Sequence, residues 1–133
     1  MKFSKITEKH FFFGEYFVNL QAKQRITRTM RRPEIVKKIS QAIRRADPTA
    51  TAILYGSEAR GDARPDSDID VLILLDGDNK NLKREDDISG ELYDVELSTG
   101  VLISPMIMLR KQWENRPFKS PFYINVMNEG IKI

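Results

Sequence analysis

The sequence predicts a single α/β domain (α+β in the broader sense) built on a mixed β-sheet flanked by helices. Three observations predict it. Residues 33–46 carry an apolar stripe of helical period, the runs Thr51–Tyr55 and Ile69–Leu75 have the length and composition of buried strands, and short helix and strand patterns alternate from there on. A chain of 133 residues is long enough for one real core. Its apolar fraction of 41% and charged fraction of 31% are those of an ordinary globular protein.

Residues 1–29 read as an N-terminal arm or extension, with the domain proper at 30–133. The arm holds His10-Phe11-Phe12-Phe13, Tyr16, Phe17 and Leu20, followed by a polar basic stretch at 21–29. So many aromatics invite association. A packing arm comes first, with a dimerisation element and a disordered tail as the alternatives.

In the helix at 33–46, Ile35, Val36, Ile39, Ala42 and Ile43 form one stripe. Pro33 suits its first turn and Asp47-Pro48 ends it. After the first strand, residues 57–61 begin a short helix and 62–67 form a loop. Asp76-Gly77-Asp78-Asn79 closes the second strand as a turn. A charged segment at 82–89 reads as a short helix ending at Gly90. Residues 92–98 read as strand three, with Tyr93, Val95 and Leu97 on one face and Asp94, Glu96 and Ser98 on the other. Residues 101–109 suit a fourth strand, where Pro105 implies an edge or a break. A helical turn at 110–115 carries Trp113. Ser120-Pro121 opens a last helix to Glu129, closed by Gly130.

Composition excludes several chemistries. There are no cysteines, so disulfides and thiolate–metal sites are ruled out, in keeping with a reducing cytoplasm. The one histidine, His10, cannot make a histidine-rich zinc site. No apolar run approaches the roughly 20 residues of a membrane helix, and no secretory leader is recognisable. The net charge of +3 is unevenly spread, with 12 Lys and Arg against 4 Asp and Glu in residues 1–50. That basic half reads first as a solvated helical face, and second as a surface for nucleic acid or an acidic partner.

The chemistry lies at 54–71. The first strand stops at Gly56-Ser57, and eleven residues after Ser57 comes Asp68-Ile69-Asp70, which opens the second strand. Alternation puts Asp68 and Asp70 on one face while Ile69 and Val71 enter the core. Two carboxylates projecting together repel unless a cation sits between them. A hard divalent ion with oxygen ligands, such as Mg²⁺, is the fitting one. A Gly-Ser turn nearby lets backbone N–H groups approach an anion closely. Metal and anion cradle together point to nucleoside triphosphates.

Gly56-Ser57-x-Ala59-Arg60-Gly61 followed by Ser67-Asp68-x-Asp70 resembles the signature of the DNA polymerase β-like nucleotidyltransferase superfamily. Within it the string is similar to the minimal nucleotidyltransferases, some of which act as antitoxins. The likeness spans residues 33–96 well and the C-terminal third loosely. It implies the polymerase β-like fold, an NTP substrate (ATP first) and two Mg²⁺ ions. Asp68 and Asp70 are then metal ligands, and a third acid on strand three binds the second ion and helps deprotonate the attacking hydroxyl. Asp94 is chosen for that role over Glu96, which shares its face. Gly56 and Ser57 would hold phosphates, and Arg60 is either a phosphate clamp or a partner of Asp62 or Asp66. Lys80, Lys83 and Arg84 read as an exposed face before a triphosphate contact, and Trp113, Phe118, Phe122 and Tyr123 as core before a base platform.

The resulting expectation is transfer of a nucleoside monophosphate to an acceptor hydroxyl. Two alternatives accompany it. One is an antitoxin paired with a helical HEPN-type ribonuclease, acting by binding it or transferring AMP to it. The other is a non-catalytic nucleotide-binding module. A homodimer is open, a membrane partner is not expected, and nucleic-acid binding through residues 21–45 would persist without Asp68.

Overall fold

The computed structural model describes residues 30–133; the arm expected at 1–29 lies outside the described residues. Helix α1 (Pro33–Ala46) precedes β1 (Thr51–Tyr55), a short α2 (Gly56–Arg60) and β2 (Ile69–Leu75). Then come α3 (Leu82–Thr99), β3 (Ile103–Leu109), α4 (Arg110–Glu114), α5 (Pro121–Glu129) and β4 (Ile131–Lys132). The strands form one sheet in the order β3-β2-β1-β4. β1 runs antiparallel to both β2 and β4, and β2 runs parallel to β3, so the sheet is mixed as expected.

β2 is the central strand, and its alternation feeds two cores. Ile69, Val71, Ile73 and Leu75 point to one side, where Val36, Ile39 and Ile43 of α1 and Ile88, Leu92 and Val95 of α3 cover them. Leu72 and Leu74 point to the other, against Trp113 of α4 and Val126 of α5. A strand covered on both faces reads as a continuous apolar run, which is how residues 71–75 of β2 read. Among the described residues, no helix is long and apolar enough to cross a membrane.

One expected element is replaced. Residues 92–98 are not a strand but the second half of α3, an eighteen-residue helix. Tyr93, Val95 and Leu97 do alternate, but so do Ile88, Leu92 and Val95 at helical spacing, and burial follows the latter. Leu92 and Val95 are 3% and 5% exposed, while Tyr93 and Leu97 are 58% and 66% exposed. The Asn81 side chain caps the start by accepting from the Arg84 N–H, and Gly100 ends the helix in the left-handed region. Gly90, expected as a helix end, sits mid-helix on an open face. Topology requires a helix here, because parallel neighbours such as β2 and β3 need a long crossover between them. The third strand is therefore Ile103–Leu109, at the sheet edge as Pro105 implied.

Asp47 locks α1 to α3. Its carboxylate accepts from the Thr49 N–H (3.0 Å), the Thr49 hydroxyl (2.6 Å) and Arg84 Nε (2.9 Å). Burial pushes its pKa up, but the hydrogen bonds from Thr49 and Arg84 outweigh burial and hold it below the ordinary 3.8. A folded pKa below the unfolded one gives stability that is complete above the unfolded value and lost as pH falls through the folded value. Asp47→Asn is therefore expected to cost about 2 kcal/mol at neutral pH. It should also flatten part of the stability loss that the wild-type protein shows below about pH 4. Urea midpoints across pH check both.

Candidate active site

Because β1 and β2 are antiparallel, with Tyr55 opposite Asp70, β1 ends where β2 begins. The chain leaves β1 through Gly56 directly into α2, which closes at Gly61. Gly56 has φ +78, and a Cβ there would lie 2.4 Å from Asp70 Oδ2. Both the left-handed backbone and the approach of the carboxylate therefore demand glycine. The Gly-Ser turn and the second acid of Asp-x-Asp are thus in contact, not merely close in sequence.

Asp68 and Asp70 continue the line of Leu72 and Leu74 on one face of β2, so they emerge from the end of the second core. Asp68 is exposed and Asp70 is half-buried. Burial chiefly, then Asp68 and Glu129, push the Asp70 pKa above 3.8, against the opposing pull of Arg60. Tyr55, beside it in the ladder, is pushed up by burial and by Asp70. The local field is that of an acidic pair lacking full compensation, which suits a cation.

The expected third acid is corrected. The sequence pattern puts Asp94 on a strand flanking β2, but it sits exposed on α3. Glu96, its alternative, accepts the Ile103 N–H at 2.8 Å. The strand that does flank β2 is β3, and the residue opposite Asp70 is Ser104. Its hydroxyl donates to Asp68 Oδ2 at 3.3 Å. Among the described residues, no group of three or more acidic or histidine side chains converges to hold one ion. Asp68 and Asp70 still fit Mg²⁺, which commonly takes one or two carboxylates and completes its shell with waters and substrate phosphates.

Arg60 pairs with Asp62 (Nε to Oδ2, 3.4 Å) and with Glu129 (Nη1 to Oε1, 3.2 Å), with half of its side chain exposed. The hydrogen bonds it donates to Glu129 and Asp62 hold its guanidinium charged. Glu129 also accepts the Gly56 N–H at 2.7 Å. Neither this residue nor Ser104 stands out in the sequence, because each arrives from an element whose neighbour is set only by the sheet. Ser67 braces the loop before Asp68, its hydroxyl accepting the Arg64 N–H.

Other candidates lie elsewhere. Lys80, Lys83 and Arg84 follow the far end of β2, about 20 Å along the strand from Asp68. They pair with Glu85, Asp87 and Asp47. Trp113 is buried and packs edge-on to Phe122 and tilted against Tyr123, with the Arg116 guanidinium over its ring. Trp113 is core, and Phe122 and Tyr123 are half-buried against that core; Phe118 is exposed.

A family model described as a nucleotidyltransferase domain matches residues 36–133. The chain belongs to that nucleotidyltransferase family, among its minimal members. A relative from Methanocaldococcus jannaschii, named "Putative protein adenylyltransferase", is 34% identical over 100 residues, covering 75% of this chain and 92% of the relative. The mixed sheet with its flanking helices agrees with the polymerase β-like nucleotidyltransferase fold. In this nucleotidyltransferase the Gly-Ser turn and the Asp-x-Asp pair meet at Gly56 and Asp70, while strand β3 brings a hydroxyl rather than a carboxylate.

Proposed function

We propose that this nucleotidyltransferase transfers AMP from ATP to a hydroxyl of a protein acceptor, with Mg²⁺ at Asp68 and Asp70. The observation that carries the reading is the contact between Gly56 and the Asp70 carboxylate, which brings the Gly-Ser turn beside the acid pair. The name of the M. jannaschii relative supports the adenylyl group and the protein acceptor.

In this reading the Ser57 hydroxyl and the backbone N–H groups that follow Gly56 hold the β- and γ-phosphates, the Gly56 N–H itself being taken by Glu129, and Arg60 offers a guanidinium to the same oxygens. Asp68 and Asp70 hold the metal, and the Ser104 hydroxyl orients Asp68. Mg²⁺ bound there would neutralise charge on the triphosphate and polarise the α-phosphoryl oxygen. The acceptor hydroxyl attacks the α-phosphorus and gives up its proton to solvent water, the bond from the α-phosphorus to the bridging oxygen breaks, and pyrophosphate leaves. Positioning and charge neutralisation supply most of the acceleration. With Ser104 on β3, the residues favour a single protein-held ion over the two-ion arrangement expected first.

Titration calorimetry with the four ribonucleoside triphosphates, with and without Mg²⁺, tests the site. Metal-dependent ATP binding is expected for the wild-type protein, with loss of at least about 100-fold in the Asp68→Ala/Asp70→Ala variant. Equal binding by that variant overturns the assignment.

A further inference from the structure

The C-terminal part of the fold reaches into the candidate site through one side chain. β4 pairs with β1 through Leu54 opposite Ile131, and continuing that ladder brings residue 129 level with Gly56. The approach is tight: a Cβ on Gly130 would lie 2.4 Å from the Val126 carbonyl oxygen and 2.8 Å from Ile53 Cγ2. The turn from α5 into β4 thus admits no side chain at residue 130, and Glu129 is delivered to one place. There its carboxylate accepts the Gly56 N–H at 2.7 Å and faces Arg60 Nη1 at 3.2 and 3.4 Å.

Resting on the reading given under Proposed function, we infer that Glu129 is a positioning residue of the nucleotide site. It fixes the left-handed Gly56 and aims Arg60 at the phosphates. Without it, Arg60, already paired with Asp62, would be drawn toward the Asp68–Asp70 pair, where it competes with the cation. The one carboxylate therefore serves two ends, holding the turn through a backbone donor and keeping the guanidinium off the metal ligands. It touches neither metal nor substrate in this role.

Glu129→Gln separates these functions from bulk folding. A glutamine carbonyl still accepts the Gly56 N–H, so the turn survives, but the charge that holds Arg60 is gone. We expect a melting temperature within about 2 °C of the wild type and MgATP affinity lower by about tenfold or more. Because the effect runs through Arg60, it should nearly vanish in an Arg60→Ala background, whereas independent roles would add. Glu129→Asp, which keeps the charge, should recover part of the affinity.

MgATP affinity in Glu129→Gln that equals or exceeds the wild type overturns the inference. The tighter case would mean that Glu129 competes with phosphate for the same donors. Full additivity with Arg60→Ala also overturns it. Wild-type binding that is lost in Asp68→Ala/Asp70→Ala but kept in Glu129→Gln removes this inference alone. A wild-type protein that binds no nucleotide removes the reading of the site and this inference with it.

Discussion

Asp70→Asn is expected to remove nucleotidyl transfer while raising the melting temperature of the ligand-free protein by a few degrees. Burial first, then the charges of Asp68 and Glu129, lift the Asp70 pKa above its ordinary 3.8. A carboxyl whose folded pKa is raised holds its proton more tightly in the fold than in the unfolded chain. Stability therefore falls as pH rises from below the unfolded pKa through the folded one, and the deficit persists at neutral pH. Asparagine has nearly the same shape and no charge, so the deficit goes. Transfer activity should drop by about 100-fold or more, since the proposed metal site would lose its half-buried ligand. Millimolar Mg²⁺ with ATP should stabilise the wild type and leave the variant unmoved. Thermal melts of both proteins at neutral pH, with and without MgATP, give the answer. A lower melting temperature for the ligand-free variant would show that the Asp70 charge supports the fold instead.

Glu58→Ala is expected to be the most destabilising single change near the site. The Glu58 side chain is fully buried and accepts three donors at 2.7 Å: the Arg31 N–H, the Arg32 N–H and Arg32 Nε. Its removal leaves two backbone donors and a guanidinium only 12% exposed without their acceptor. Breaking a buried pair from one side costs about 3–5 kcal/mol. For a domain of this size that is on the order of 15 °C in melting temperature. Glu58 also sits in α2 next to Ser57, so the loss should spread to nucleotide binding. Glu58→Gln, which keeps the shape and some of the bonds, should lose less. Urea denaturation measures the series, and a loss under 1 kcal/mol for the alanine variant would remove Glu58 as the anchor of residues 31 and 32.

Much of this was legible in the sequence for identifiable reasons. The boundaries of α1, β1 and β2 follow from Pro33, Asp47-Pro48 and two apolar runs, and all three elements lie where expected. Asp68 and Asp70 share a face because strand alternation is strict, so the acid pair could be read without coordinates. What misled was one segment carrying two periods at once. Tyr93, Val95 and Leu97 suggested a strand, Ile88, Leu92 and Val95 make a helix, and the choice carried Asp94 into a site it does not reach. Glu129 and Glu58 were illegible for another reason. A carboxylate's partner is set by which strand ends meet, and a two-residue strand such as β4 leaves almost no pattern in the chain.

The outer edge of β3 carries a consequence for how copies of this protein can meet. The Leu102 carbonyl faces β2, accepting the Ile69 N–H, so the backbone groups of residues 103, 105 and 107 turn outward. Glu96 takes the Ile103 N–H, Pro105 has none to offer, and Lys80 Nζ occupies the Ile107 carbonyl. A strand arriving along this edge would find the Ile103 donor engaged, a donor missing at Pro105 and the Ile107 acceptor capped. Cross-sheet polymerisation, the hazard of any open β-edge, is opposed there by three side chains drawn from three different parts of the chain.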